Sequence, residues 1–215
     1  MTEEYRRQLC ARITRLNETD YLYIKRIVKM SFLCLFALFC GAIISGLIPC
    51  DSETLDALCE AHFCAFFDGL GPLDAVRSAV RFALPDLLCI ASVAFFGYTM
   101  LAFAGSSVLI FFGGARLGYC FFSLLPAANH IENGTFAFVL FAVCKLLVLI
   151  ALVFAASEAE GFSYVCRDIY GKRRFALLSE KSVRYVVLMT STAGFTALIN
   201  VIYLIFLHFQ KFQMI

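Results

Sequence analysis

Charge is scarce in this sequence. Of its 215 residues only 16% are Asp, Glu, Lys or Arg, whereas a soluble domain carries about 25% because water must wet its surface. Motifs that carry chemistry are scarcer still. There is no Walker loop, no GxSxG, no HExxH and no pair of aspartates inside an apolar run, so an enzyme is the poorest fit. Ten cysteines are present, yet none forms a CxxC pair or a Cys/His spacing that suits zinc. No metal, cofactor or nucleic-acid partner is expected. A long charged stretch precedes the first apolar run, which argues against a cleaved signal peptide.

What the chain does have is apolar length: 61% of its residues are hydrophobic. Five runs approach or exceed what a hydrocarbon core of about 30 Å requires at about 1.5 Å per residue. They are Ile27–Ile48, Leu87–Ala104, Ser106–Leu125, Phe136–Ser157 and Val186–His208. Residues 27–208 thus form a membrane domain of about five transmembrane helices, with the lipid bilayer as first partner. Helices are the default, because each backbone amide in lipid must find its partner within its own segment. Runs two and three meet at Gly105, which predicts a tight hairpin there.

Lysine and arginine bias sets the orientation. Arg6, Arg7, Arg12, Arg15, Lys25, Arg26 and Lys29 precede or open the first run, and the loop 158–185 holds Arg167, Lys172, Arg173, Arg174, Lys181 and Arg184. The segment 49–86 has only Arg77 and Arg81 among seven acidic residues. The N-terminus is therefore expected in the cytoplasm and the C-terminus outside. In residues 1–26, Tyr5, Leu9, Ile13 and Leu16 share one face, which predicts a basic amphipathic helix on the inner surface that breaks at Asn17–Asp20. In the outer segment, Leu55, Leu58, Phe63, Phe66 and Phe67 form an apolar stripe open to a partner. A further short helix, Leu73–Leu84, should lead to Pro85 and the second span. Five cysteines (Cys34, Cys40, Cys89, Cys120, Cys144) lie in apolar runs, where a thiol acts as a small hydrophobe. Cys50, Cys59 and Cys64 share the outer segment, where their odd number leaves at least one outside any local disulfide.

Arg116 and Lys145 fall near the middles of spans three and four, where a charge costs about 2.5–3.5 kcal/mol on insertion scales. Each either holds an anionic headgroup, substrate or partner carboxylate, or is satisfied by carbonyls and snorkelling alone. No carboxylate is expected at equal depth, and Asp86 reads as a cap or anchor at the start of span two. Thr192, Thr196 and Asn200 recur every four residues on span five, as interhelical hydrogen-bonding glue or as the wall of a path. Gly114 and Gly118 give a GxxxG spacing for close helix packing. His62, His130 and Glu132 lie outside the spans and form no metal cluster.

The stretch Phe95-Phe96-Gly97-Tyr98-Thr99, followed by Phe111-Phe112-Gly113-Gly114-Ala115-Arg116-Leu117-Gly118, resembles the paired aromatic and glycine-rich spans of the stage II sporulation protein M family. The resemblance covers roughly residues 30–157 and extends to the layout of basic N-terminus, first span and acidic outer segment. It implies a polytopic α-helical bundle in a bacterial plasma membrane, packed through Gly97, Gly113, Gly114 and Gly118. The implied role is a non-catalytic scaffold that anchors peptidoglycan-remodelling partners, cell-wall hydrolases, during sporulation and engulfment. Self-association is compatible with it. A transporter or permease subunit for an anionic or lipid-like substrate stands beside it. In the scaffold reading the outer stripe carries the partner contact. In the permease reading Arg116, Lys145 and the Thr192–Asn200 face carry function.

Overall fold

Apolar sequence without backbone breakers builds long helices here. The computed structural model describes residues 3–48, 53, 72–128, 134–172 and 175–212. Within these are five helices: α1 (Glu3–Leu47), α2 (Pro72–Gly97), α3 (Ala102–Ala128), α4 (Gly134–Lys172) and α5 (Phe175–Phe212). Four contain stretches long and apolar enough to cross a membrane: Tyr21–Leu47, Ala102–Pro126, Thr135–Asp168 and Glu180–Phe206. The apolar part of α2, Phe82–Gly97, is shorter. The protein is an all-α helical membrane bundle. The outer stripe at Leu55, Leu58, Phe63, Phe66 and Phe67, the cysteines Cys50, Cys59 and Cys64, and His62, His130 and Glu132 lie outside the described residues.

Element boundaries differ from the sequence expectation in four places. First, no break occurs at Asn17–Asp20: α1 runs unbroken through 45 residues. Neither Gly nor Pro occurs before Gly41, and weak helix formers alone seldom stop a helix. Second, α2 passes through Pro85 instead of restarting after it, a tolerance that membrane helices show when neighbours satisfy the freed carbonyl. Third, α4 and α5 extend well beyond their apolar cores, so most of the expected loop 158–185 is helical.

The fourth difference is the hairpin turn, which lies at Tyr98–Leu101 and not at Gly105. Thr99 makes it. Its hydroxyl donates to the Phe96 carbonyl at 2.8 Å and accepts from the Leu101 amide at 3.2 Å. One side chain thus closes α2 and opens α3, as capping hydroxyls do. The Thr99 carbonyl in turn accepts from Ser163 on α4 at 2.6 Å. Gly105 sits inside α3, where the Phe96 ring occupies the space that a Cβ would take.

Side-chain pairs fix the helix directions. Along α1 and α3, Lys29 meets Phe103, Phe36 meets Phe111, and Ser45 bonds Ser123, so the two run parallel. Phe82 stacks on Tyr203 and Tyr98 bonds Ser182, so α2 and α5 run antiparallel. Gly113 faces Leu152, and Phe121 faces Phe138 and Phe141, so α3 and α4 are also antiparallel. Directions alternate along the chain.

Helix α4 is the axis of the bundle. Half of its apolar stretch is buried, against 22–33% in the other three. Its run of Ala151, Ala155, Ala156, Ser157 and Ala159 is buried, and residues this small let neighbouring backbones approach in lipid. Parallel α1 and α3 meet even more closely. A Cβ on Gly118 would collide with the Leu38 carbonyl, one on Gly41 with the Ala115 carbonyl, and one on Gly114 would lie 2.9 Å from the Ala37 Cβ.

Candidate functional site

Three helices converge on one lysine. Lys145 leaves α4 toward α2 and α5, and its ammonium donates to Asp86 Oδ2 at 2.6 Å and to Asn200 Oδ1 at 3.1 Å. It also stands 3.9 Å over the centre of the Phe82 ring, one turn before Asp86 on α2. Two hydrogen bonds and a ring face thus hold the ammonium. Asn200 is tied in as well: its amide nitrogen donates to Asp86 Oδ2 at 3.2 Å and to the Thr196 carbonyl at 2.9 Å. Phe82 stacks on Tyr203 at 5.1 Å, and Phe141 lies 6.0 Å from the same ring, so aromatics cover one side of the cluster.

Such a pair answers the cost of burial. A lone buried ammonium loses its hydration with nothing in return, whereas a hydrogen-bonded ion pair recovers most of it. The Lys145 side chain is 8% exposed and that of Asp86 is 20% exposed, so the carboxylate is the member nearer the outside. Asp86 corrects the expectation that no carboxylate shares the depth of Lys145. It is no cap: it lies well inside α2, because that helix starts at Pro72. Its signal in the sequence was the Phe82–Asp86 spacing of four, which places ring and carboxylate on one helix face.

The other predicted polar residues divide. Thr196 is buried beside the cluster, and its hydroxyl oxygen has no partner among the described residues. Thr192 donates back to the Leu188 carbonyl of its own helix at 2.9 Å and takes no part. Arg116 lies on the bundle surface, close enough to Lys145 and Cys89 for electrostatic interaction with both. It has no hydrogen bond or ion pair among the described residues. On its exposed face stand Val108 and Phe112, each a further four residues back along α3. The Gly114–Gly118 face is turned to α1. A Cβ on Gly113 would meet only Leu152 Cδ2 of α4, at 3.7 Å, and one on Gly97 would collide with the Tyr185 hydroxyl of α5.

At the opposite end of α2 an aromatic cluster ties three helices. Phe162 and Tyr185 stack at 4.2 Å, Tyr98 meets both edge-on, and the Tyr185 hydroxyl donates to the Ala94 carbonyl at 2.9 Å. Nearby on α4, Glu160 is buried with one carboxylate oxygen unpartnered, and so is the Ser157 hydroxyl. Arg26 of α1 lays its guanidinium against Gly161. Cys34, Cys40, Cys89, Cys120, Cys144 and Cys166 are free thiols. No group of three or more His, Cys, Asp or Glu side chains that could hold a metal occurs among the described residues. Comparison with protein-family models, curated proteins and solved structures gives no match for this chain.

Proposed function

We propose that this protein is a non-catalytic scaffold of a bacterial plasma membrane, of the stage II sporulation protein M kind, that holds peptidoglycan-remodelling partners. The supporting observation is the contrast between two intramembrane cations. Lys145 is neutralised within the bundle by Asp86, while Arg116 on its surface has no ion pair among the described residues. Arg116 lies near the centre of the apolar stretch Ala102–Pro126. Left in lipid at that depth, its charge costs about 2.5–3.5 kcal/mol. The partner contact in this scaffold reading thus lies at Arg116, in place of the outer stripe: a transmembrane helix of a partner, carrying Asp or Glu at mid-depth, removes that cost and packs against Val108 and Phe112.

The permease reading needs Arg116, Lys145, Thr192, Thr196 and Asn200 along one path. Thr192 instead bonds its own backbone, Lys145 is held by Asp86 and Asn200, and Arg116 is on the bundle surface. That favours assembly over transport.

Purification from native membranes in mild detergent tests the proposal. Wild-type protein should bring down wall hydrolases, and Arg116→Leu should lose them while its own yield and thermal midpoint hold. Arg116→Lys, which keeps the charge without the planar fork, should retain them in part. Undiminished recovery with Arg116→Leu, or an ATPase subunit as the main companion of the wild type, would overturn it.

A further inference from the structure

We infer that the groove between α1 and α3 is a binding site for one anionic phospholipid, with the lipid phosphate at Lys29 and an acyl chain along Phe32, Leu33 and Phe36. This rests on a different surface from Arg116 and stands without the scaffold proposal.

The groove has a volume of about 440 Å³ and is lined by Lys29, Phe32, Leu33 and Phe36 of α1 with Phe103 and Ser107 of α3. That is within the roughly 300–1,000 Å³ of ordinary ligand sites. Its lining is almost wholly apolar, with Lys29 as the charged residue among it. The Lys29 ammonium sits 3.5 Å over the centre of the Phe103 ring, a cation–π contact that fixes the charge at the groove rather than letting it trail into water. No carboxylate pairs with Lys29 among the described residues, in contrast to Lys145. Arg26, one turn earlier, is directed elsewhere: its Nε donates to the Leu22 carbonyl at 3.3 Å and its guanidinium rests on Gly161. Lys25 is exposed and adds positive charge one turn nearer the end of the apolar stretch.

The order of residues along α1 matches the order of groups in a lipid. Lys29 is the last charged residue of α1, and only uncharged sequence follows it from Met30 to Leu47. Phe32 and Phe36 follow about 4 and 10 Å deeper at the helical rise. A phospholipid presents its phosphate, then its esters, then its chains along the same axis. A phosphate without a bulky choline answers Lys29 best, which selects phosphatidylglycerol-like over phosphatidylcholine-like headgroups. One basic residue near an anionic surface supplies about a fivefold preference.

The chain contains no tryptophan, so a single inserted one is a clean reporter. Phe36→Trp is reconstituted in phosphatidylcholine vesicles holding equal small fractions of either dibrominated phosphatidylglycerol or dibrominated phosphatidylcholine. Brominated phosphatidylglycerol should quench the reporter at about one fifth of the fraction that the brominated phosphatidylcholine needs. Adding Lys29→Gln should erase that difference. Phe195→Trp, on a lipid-facing part of α5, should show none. If Phe36→Trp disturbs the fold, Phe32→Trp reports on the same groove. Equal quenching by both lipids at the groove, a preference that survives Lys29→Gln, or the same preference at position 195 would overturn the site.

Discussion

Lys145 and Asp86 balance each other, and the consequence of that balance is measurable one side chain at a time. Replacing Lys145 by Met leaves Asp86 charged and without its cation, a loss of about 3–5 kcal/mol for a buried pair broken on one side. Replacing both, Asp86→Leu with Lys145→Met, removes the charge and the need for it together. The double variant should therefore unfold at a higher temperature in detergent than the Lys145→Met single variant. A double variant as unstable as the single one would mean that the pair is not coupled as its 2.6 Å contact implies. Lys145 and Asn200 stood out in the sequence because a cation and an amide inside apolar runs must be answered. Asp86 did not, because its depth depends on where its helix starts, and Pro85 hid that start. The Thr192–Thr196–Asn200 repeat misled for a geometric reason. At 3.6 residues per turn, eight residues turn a helix about 80° beyond two full circles. Asn200 can therefore face α4 while Thr192 faces its own carbonyl.

Helix pairing depends on how near two backbones can come, and glycine decides that at the α1–α3 seam. Gly118→Val forces a branched side chain onto the Leu38 carbonyl, and overpacking of this sort costs about 1–3 kcal/mol. Gly113→Ala is the matched control, since its new methyl meets only the Leu152 methyl at 3.7 Å. It should leave the thermal midpoint unchanged or raise it, because alanine is the better helix former by up to about 1 kcal/mol. Equal midpoints for both variants would remove the close seam. The GxxxG spacing announced a packing face on α3 but not what packs there. Its counterpart on α1 is Ala37, Gly41 and Ser45, small residues four apart, a weaker form of the same spacing and one easily passed over among large neighbours. Gly105 shows the converse: it reads as a turn because glycines often are, yet it receives the Phe96 ring, and the turn belongs to Thr99. Long apolar stretches were legible throughout, because lipid demands them. Their ends were not, since α1, α4 and α5 continue as helices past the last apolar turn, where only packing and local hydrogen bonds decide.

For the molecule as a whole, the number of crossings turns on α2. Its apolar part is the shortest of the five, and composition alone leaves four helices long enough to span. Its contacts argue for a fifth crossing. Helix α2 runs beside α5 from Phe82 to Tyr98, a rise of about 24 Å, and its full 26 residues from Pro72 to Gly97 measure about 39 Å, enough to reach across a hydrocarbon core. Parallel α1 and α3 require the chain to return between them, and α2 is the described helix with the opposite direction. The Lys145 ammonium supplies what a short apolar helix lacks, since it neutralises Asp86 near the end where α2 is least hydrophobic. Five crossings would put residues 1 and 215 on opposite sides, and the arginines and lysines before Met30 lead us to expect residue 1 in the cytoplasm. In sealed right-side-out vesicles a protease-cleavable tag at the N-terminus should survive and one at the C-terminus should be cut. Four crossings would protect both tags or expose both. Asp86→Leu combined with Lys145→Met should keep the opposed pattern, because α2 then becomes more apolar, whereas Lys145→Met alone burdens α2 with an uncompensated carboxylate and should shift a fraction of molecules toward equal protection.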